Sequence, residues 1–212
     1  MPIRESAYRC LVALSIAMAA GSAQATMLLP QNIERLEAQA QVVFVGVCTS
    51  QTAAINERGI PVRAYTFEII EGVKGNLKAG SRIQVRHLGN DVPDARGLAL
   101  HVAGVPRYRV GQEVLLFLNP PSSLGLTAPV GFSQGVFDIA RGADGKREIR
   151  LDPLRRKLLS GGLATAKYAA SRRFTLKDQD LLNDPPERVD LESFCSLVRR
   201  IQQECEQAEK GR

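Results

Sequence analysis

Hydrophobic residues recur along the chain mostly with a period of two, in short runs separated by turn residues. Val42-Val-Phe-Val-Gly46-Val-Cys48 is an exception: its apolar positions are consecutive, the pattern of a central strand buried on both faces. Val62 to Gly72 alternates, with Tyr65, Phe67 and Ile69 facing one way, and Val73 to Gly80 turns the chain into a further run from Arg82 to Leu88. There Ile83, Val85 and His87 share one side and Arg82, Gln84 and Arg86 the other, the signature of a half-buried antiparallel strand. Leu98 to Val102 predicts a short strand. Pro106 to Glu113 leads through a turn into Val114 to Leu118, an apolar strand closed by Asn119-Pro-Pro121. Leu126 to Val130 and Val136 to Ala140 read as two strands, or as one strand broken at the glycines, and Lys146 to Leu151 as the return limb of a hairpin over Gly142-Ala-Asp-Gly145. Seven or so short strands with no long helix between them predict a mainly β fold, a small antiparallel OB-like barrel, closed or nearly closed, over residues 26–152.

Two stretches with helical spacing frame these strands. Pro30 to Ala40 predicts a short N-terminal helix with Asn32 as its N-cap and Ile33 and Leu36 on one side. Residues 187–207 predict a C-terminal amphipathic helix: Asp190 suits the N-cap, Val189 and Phe194 suit a hydrophobic staple, and Leu191, Phe194, Cys195, Val198 and Ile201 form an apolar stripe. Such a stripe is expected to dock on the barrel rather than on a partner, because an amphipathic helix is stabilised mainly by burying its own apolar face. Residues 153–186 combine mixed charge, few aromatics and Gly161-Gly162, which predicts a basic, weakly ordered connection with one helical turn.

The chain begins with a charged segment containing Arg4 and Arg9, continues with an apolar run from Cys10 to Ala20, and reaches Ala23-Gln-Ala25. These are the parts of a secretory signal peptide, residues 1–25, cleaved after Ala25, and they predict export to the periplasm or the cell exterior. No later run is long and apolar enough for a membrane span. The net charge of +6 is unevenly spread, since residues 141–175 carry 10 basic and 3 acidic side chains. Arg155-Arg156-Lys157 and Arg172-Arg173 therefore mark either a solvated surface or a site for a polyanion. Export also places Cys48, Cys195 and Cys205 in an oxidising compartment, where one disulfide with one thiol left over is expected. Cys195 and Cys205 pair only if the last helix ends early, because ten helical residues would separate them by about 15 Å.

One stretch resembles a catalytic motif: Gly131-Phe-Ser133-Gln-Gly135 fits the Gly-x-Ser-x-Gly of a hydrolase nucleophile elbow. An elbow needs a helix after the serine, whereas Val136 to Ala140 reads as a strand, and both histidines, His87 and His101, precede the serine. The flanking glycines fit a bulge or tight strand corner instead. His87 and His101 with Asp91 and Asp94 match no ligand spacing for a metal, and no phosphate loop, dinucleotide fingerprint or Cys-x-x-Cys occurs. No cofactor is expected. The absence of tryptophan and the 5% aromatic content argue against a stacking face for single-stranded nucleic acid.

Val42 to Val47, Tyr65 to Ile69, Val73-Lys-Gly75, Pro106 to Leu118 and Val130 to Phe137 together resemble a group of uncharacterised exported bacterial proteins, over about residues 30–140. Their layout is similar to the barrel of netrin-like domains and tissue inhibitors of metalloproteinases, an OB-fold variant. The resemblance implies a fold rather than an activity. Those inhibitors chelate the protease zinc through an N-terminal cysteine, and the mature chain here would begin at Thr26. The expected function is an exported, non-enzymatic binding module for a protein or polyanionic partner. The alternatives are a serine hydrolase using Ser133, and an inhibitor or accessory protein of an exported metalloprotease.

Overall fold

The computed structural model describes residues 29–91, 93, 96–161, 168, 171 and 173–210; the expected signal peptide with its expected cleavage point after Ala25, Asp94 and Arg172 lie outside the described residues. The elements in order are α1 (Ile33–Gln39), β1 (Val42–Ile55), β2 (Pro61–Lys74), β3 (Arg82–Leu88), β4 (Glu113–Leu118), a 3-10 turn (Phe132–Gly135), β5 (Val136–Arg141), β6 (Arg147–Arg150), α2 (Pro153–Ser160), α3 (Leu176–Asn183), β7 (Arg188–Asp190) and α4 (Leu191–Lys210). No helix among the described residues is long and apolar enough to cross a membrane.

All seven strands join one antiparallel sheet in the order β3-β2-β1-β4-β5-β6-β7. The consecutive apolar run of β1 is explained by its place between β2 and β4. It sends Val43 and Val45 into one core and Phe44 and Cys48 into the other. The first core lies under the helices, where Ile33 and Leu36 of α1, Leu159 of α2, Leu181 and Leu182 of α3, and Phe194, Val198 and Ile201 of α4 meet Leu115, Phe117, Phe137 and Ile149. The second is aromatic: Phe44, Tyr65 and Phe67 are covered by Tyr108, which comes from the connection between β3 and β4.

The sheet is not closed into a barrel by strand pairing, and here the structure corrects the sequence expectation. The strands β3 and β7 are its two ends. The segment 126–130, expected as a strand, reaches toward closure through one bond from the Thr127 N–H to the Arg86 carbonyl at 2.8 Å, while its bonds at Ala128 and Val130 return to Asn119 and Phe117 beside an isolated bridge between Pro129 and Leu118. Pro129 has no N–H to extend a ladder, and the turn that begins at Gly131 redirects the chain. Leu98 to Val102 is not a strand either. Its Leu100 carbonyl accepts from the Asn90 N–H at 3.1 Å, and Leu98 and Leu100 are exposed.

Within residues 153–186, where one helical turn was expected, the described residues include two eight-residue helices. Local capping nucleates both. The Asp152 carboxylate accepts the Arg155 N–H at 2.8 Å ahead of Pro153, and Thr175 with Asp178 forms a reciprocal capping box. Between them Tyr168 and Phe174 bury their rings 4.8 Å apart in the core under the helices. The strand β7 was not anticipated. It adds three residues to β6 and runs directly into α4, whose N–H at Ser193 is capped by Asp190 as the sequence predicts. The α4 stripe is buried against the sheet, and an Arg199–Glu71 ion pair of 2.5 Å ties the helix to β2.

Candidate functional site

The Gly-x-Ser-x-Gly stretch forms a 3-10 turn between β4 and β5 rather than a strand corner. Gly131 starts it with φ +57°, and Phe132 follows at φ 55°. Gly135 is crowded: a Cβ there would stand 2.6 Å from the Val130 carbonyl oxygen and 3.1 Å from that of Phe117. Ser133 is exposed, and its carbonyl accepts a bond of 2.6 Å from Arg155. Neither histidine bonds it. His87 Nδ1 donates to the Pro106 carbonyl at 3.1 Å, and His101 meets Arg107 and Asp91.

His87 is fully packed, against Tyr65 and Tyr108 at ring distances of 5.5 and 5.6 Å. Burial holds its pKa down to about 4 from the ordinary 6.5, so the imidazole is neutral at pH 7. With the proton on Nδ1, Nε2 is an acceptor, and neither it nor the Tyr108 hydroxyl has a hydrogen-bond partner among the described residues. The void beside His87 is only about 20 Å³, room for a single water rather than an organic ligand. At its rim Asp91 receives Arg63, Arg107 and His101. No group of three or more His, Cys, Asp or Glu among the described residues is placed to hold a metal ion.

The basic run on α2 is largely engaged with the protein itself. Arg155 donates to the carbonyls of Val136 and Ser133 and lies 5.0 Å over the Phe137 ring, a cation–π contact of order 1–2 kcal/mol when desolvated. Arg156 turns the other way, to the Pro185 carbonyl at 2.5 Å and Asp184 at 2.9 Å. Lys157 is exposed, and Arg173 is paired with Glu204 at 3.7 Å. Successive helical residues point about 100° apart, so three adjacent cations do not make one patch.

Among the described residues no disulfide joins Cys48, Cys195 and Cys205. Cys48 lies in the aromatic core, whereas Cys195 lies across the sheet under the helices, and α4 runs unbroken past Cys205. Burial pushes the Cys195 thiol up to about 12 and raises that of Cys48.

Larger hollows lie elsewhere among the described residues. One, of about 550 Å³, lies where the N-terminal turns of α3 and α4 meet the β5–β6 hairpin; Lys177 there donates to the Ser193 hydroxyl at 2.7 Å, and Arg200–Asp178 at 2.7 Å and Lys146–Asp144 at 3.0 Å are ion pairs. Another is a groove of about 620 Å³ that no sequence motif announced. Its floor is the face of the β1–β2–β3 sheet carrying Thr52, Ala54, Ala64, Gln84 and Arg86. Its walls are the β1–β2 hairpin tip from Ile55 to Arg58 and the loop from Ser123 to Leu126. Small side chains on the floor, with half-exposed Ile55 and Leu124 at the walls, keep the hollow open and partly apolar. The signal that marks it in sequence is subtle: Ala54 and Ala64 stand opposite Val62 and Thr52, small or β-branched residues where a solvated strand face usually carries long charged ones.

No protein-family model matches the chain, and no curated protein matches it.

Proposed function

We propose that the chain is an exported, non-enzymatic binding module, and that the groove over β1, β2 and β3 is its binding surface. The observation that carries this reading is the uneven cover of the sheet. Helices bury the end of β2 that holds Val73, while the end that holds Ala64 faces an open hollow within the size range of ligand sites. An OB-like arrangement is consistent with this surface: β1 to β4 curl around Tyr65, Phe67 and Tyr108, and the chain at Thr127 touches β3 across the remaining gap. In OB folds the face of the second and third strands, flanked by two loops, is where ligands bind, which is an argument by analogy of fold.

The test is capture of a partner from the exported fraction by the tagged protein and by Thr52→Trp, which fills the groove from an exposed position. Loss of the partner with an unchanged thermal melt supports the groove; equal capture overturns it. A fluorophosphonate probe that labels the wild type but not Ser133→Ala would overturn the non-enzymatic reading.

A further inference from the structure

Resting on that reading of the groove, we propose that its ligand is an extended acidic peptide segment that lies along the outer edge of β3 and sets a carboxylate against Arg86. The main chain supplies the first argument. The Ser81 carbonyl accepts from Ile69 and the Gly89 N–H donates to Pro61, so the odd-numbered residues of this strand direct their hydrogen-bonding groups at β2. The even-numbered Arg82, Gln84 and Arg86 therefore direct theirs outward. Thr127 takes the Arg86 carbonyl, and no described residue pairs with the outward groups of Gln84 or Arg82. An edge of this kind, ending at one strand-like contact, is a template for an added strand.

The side chains supply the second. Arg86 Nε donates to Gln84 Oε1 at 2.7 Å, which fixes the guanidinium and leaves its two terminal nitrogens for a fork-to-carboxylate contact. Arg63, Arg147 and Arg199 each have a carboxylate partner, but Arg86 and Arg58 in the groove have none among the described residues. Glu57 is the one acidic residue lining the groove, so the hollow favours negative charge. A strand laid on this edge alternates its side chains, so an acidic residue opposite Arg86 is followed two positions on by one facing the apolar wall at Leu124. A nucleic acid fits less well, because no aromatic residue lines the groove for base stacking and two arginines meet few phosphates.

The experiment titrates the full mature protein with a panel of short labelled peptides alternating Glu with Val, Ile or Leu, read by fluorescence anisotropy. Binding is expected to fall about tenfold for Arg86→Glu, the loss that goes with one charge-assisted contact. It should recover when the peptide's Glu is replaced by Lys. It should also fall for peptides N-methylated at alternate amides, and it should be unchanged for Lys157→Glu. The proposal is overturned if no peptide of the panel binds, if Gln-substituted peptides bind equally, or if a heparin fragment or oligothymidylate binds in an Arg86-dependent way where the peptides do not. Any of these results leaves the groove itself standing if Thr52→Trp still abolishes partner capture.

Discussion

Arg155 shows how a residue read as surface charge acquires a structural task. Its position in a basic run was visible, but its partners are main-chain carbonyls and a phenyl face, which leave no trace in a charge count. Ser133 is the converse, because its motif is visible while His87 and His101 bond elsewhere, to Pro106 and to Arg107. Substituting Gly135 by Val forces atoms against two carbonyls and is expected to cost about 2–4 kcal/mol, whereas Ser133→Ala stays within about 0.5 kcal/mol. Urea melts of the two variants check this. His87 gives a pH dependence of definite sign. Its folded pKa of about 4 lies below the ordinary 6.5, so as pH falls through 6.5 the unfolded chain takes up the proton first. Stability present above pH 6.5 is lost progressively toward pH 4, by up to about 3 kcal/mol from this group. Comparing wild type with His87→Gln at pH 7.5 and 4.5 isolates the contribution; a wild-type slope no steeper than the variant's would contradict it.

Among the elements, segments with a strong apolar pattern were legible, and thin or polar ones were not. The consecutive run of β1, the alternation of β2 and β3, and the Asn32 and Asp190 caps each name their element because one local pattern suffices. The strand β7 has three residues, too few for a period, and exists only because β6 offers an edge. The helices α2 and α3 were hidden for a different reason: their composition is polar, and only the signals Asp152-Pro153 and Thr175-x-x-Asp178 marked their starts. Those caps should therefore matter. Thr175→Ala removes the hydroxyl that accepts the Asp178 N–H, leaving the Asp178 carboxylate on the main-chain N–H of residue 175, and is expected to lower stability by about 1 kcal/mol, with the loss read as a lower urea midpoint. The groove was illegible because its floor and walls come from three separated stretches, and no local pattern records their meeting.

For the whole molecule, the placement of the thiols decides how the chain behaves in an oxidising medium. Cys48 and Cys195 face opposite cores, so oxidation cannot join them without unfolding. Alkylation after denaturation without reductant is expected to modify Cys48, Cys195 and Cys205 alike, and in the native state Cys205 first, as read by intact mass. The fold thus relies on its two cores rather than on a covalent staple, which a chain of this length permits. The contact between Thr127 and Arg86 has a kinetic side as well. One hydrogen bond of net worth about 1 kcal/mol is a latch that opens often on the scale of amide exchange, whereas the β1–β4 ladder opens only when the molecule unfolds. In deuterated buffer the Thr127 amide should exchange orders of magnitude faster than that of Val45. A ligand seated along β3 would slow it, making one proton a clock for the breathing of that corner.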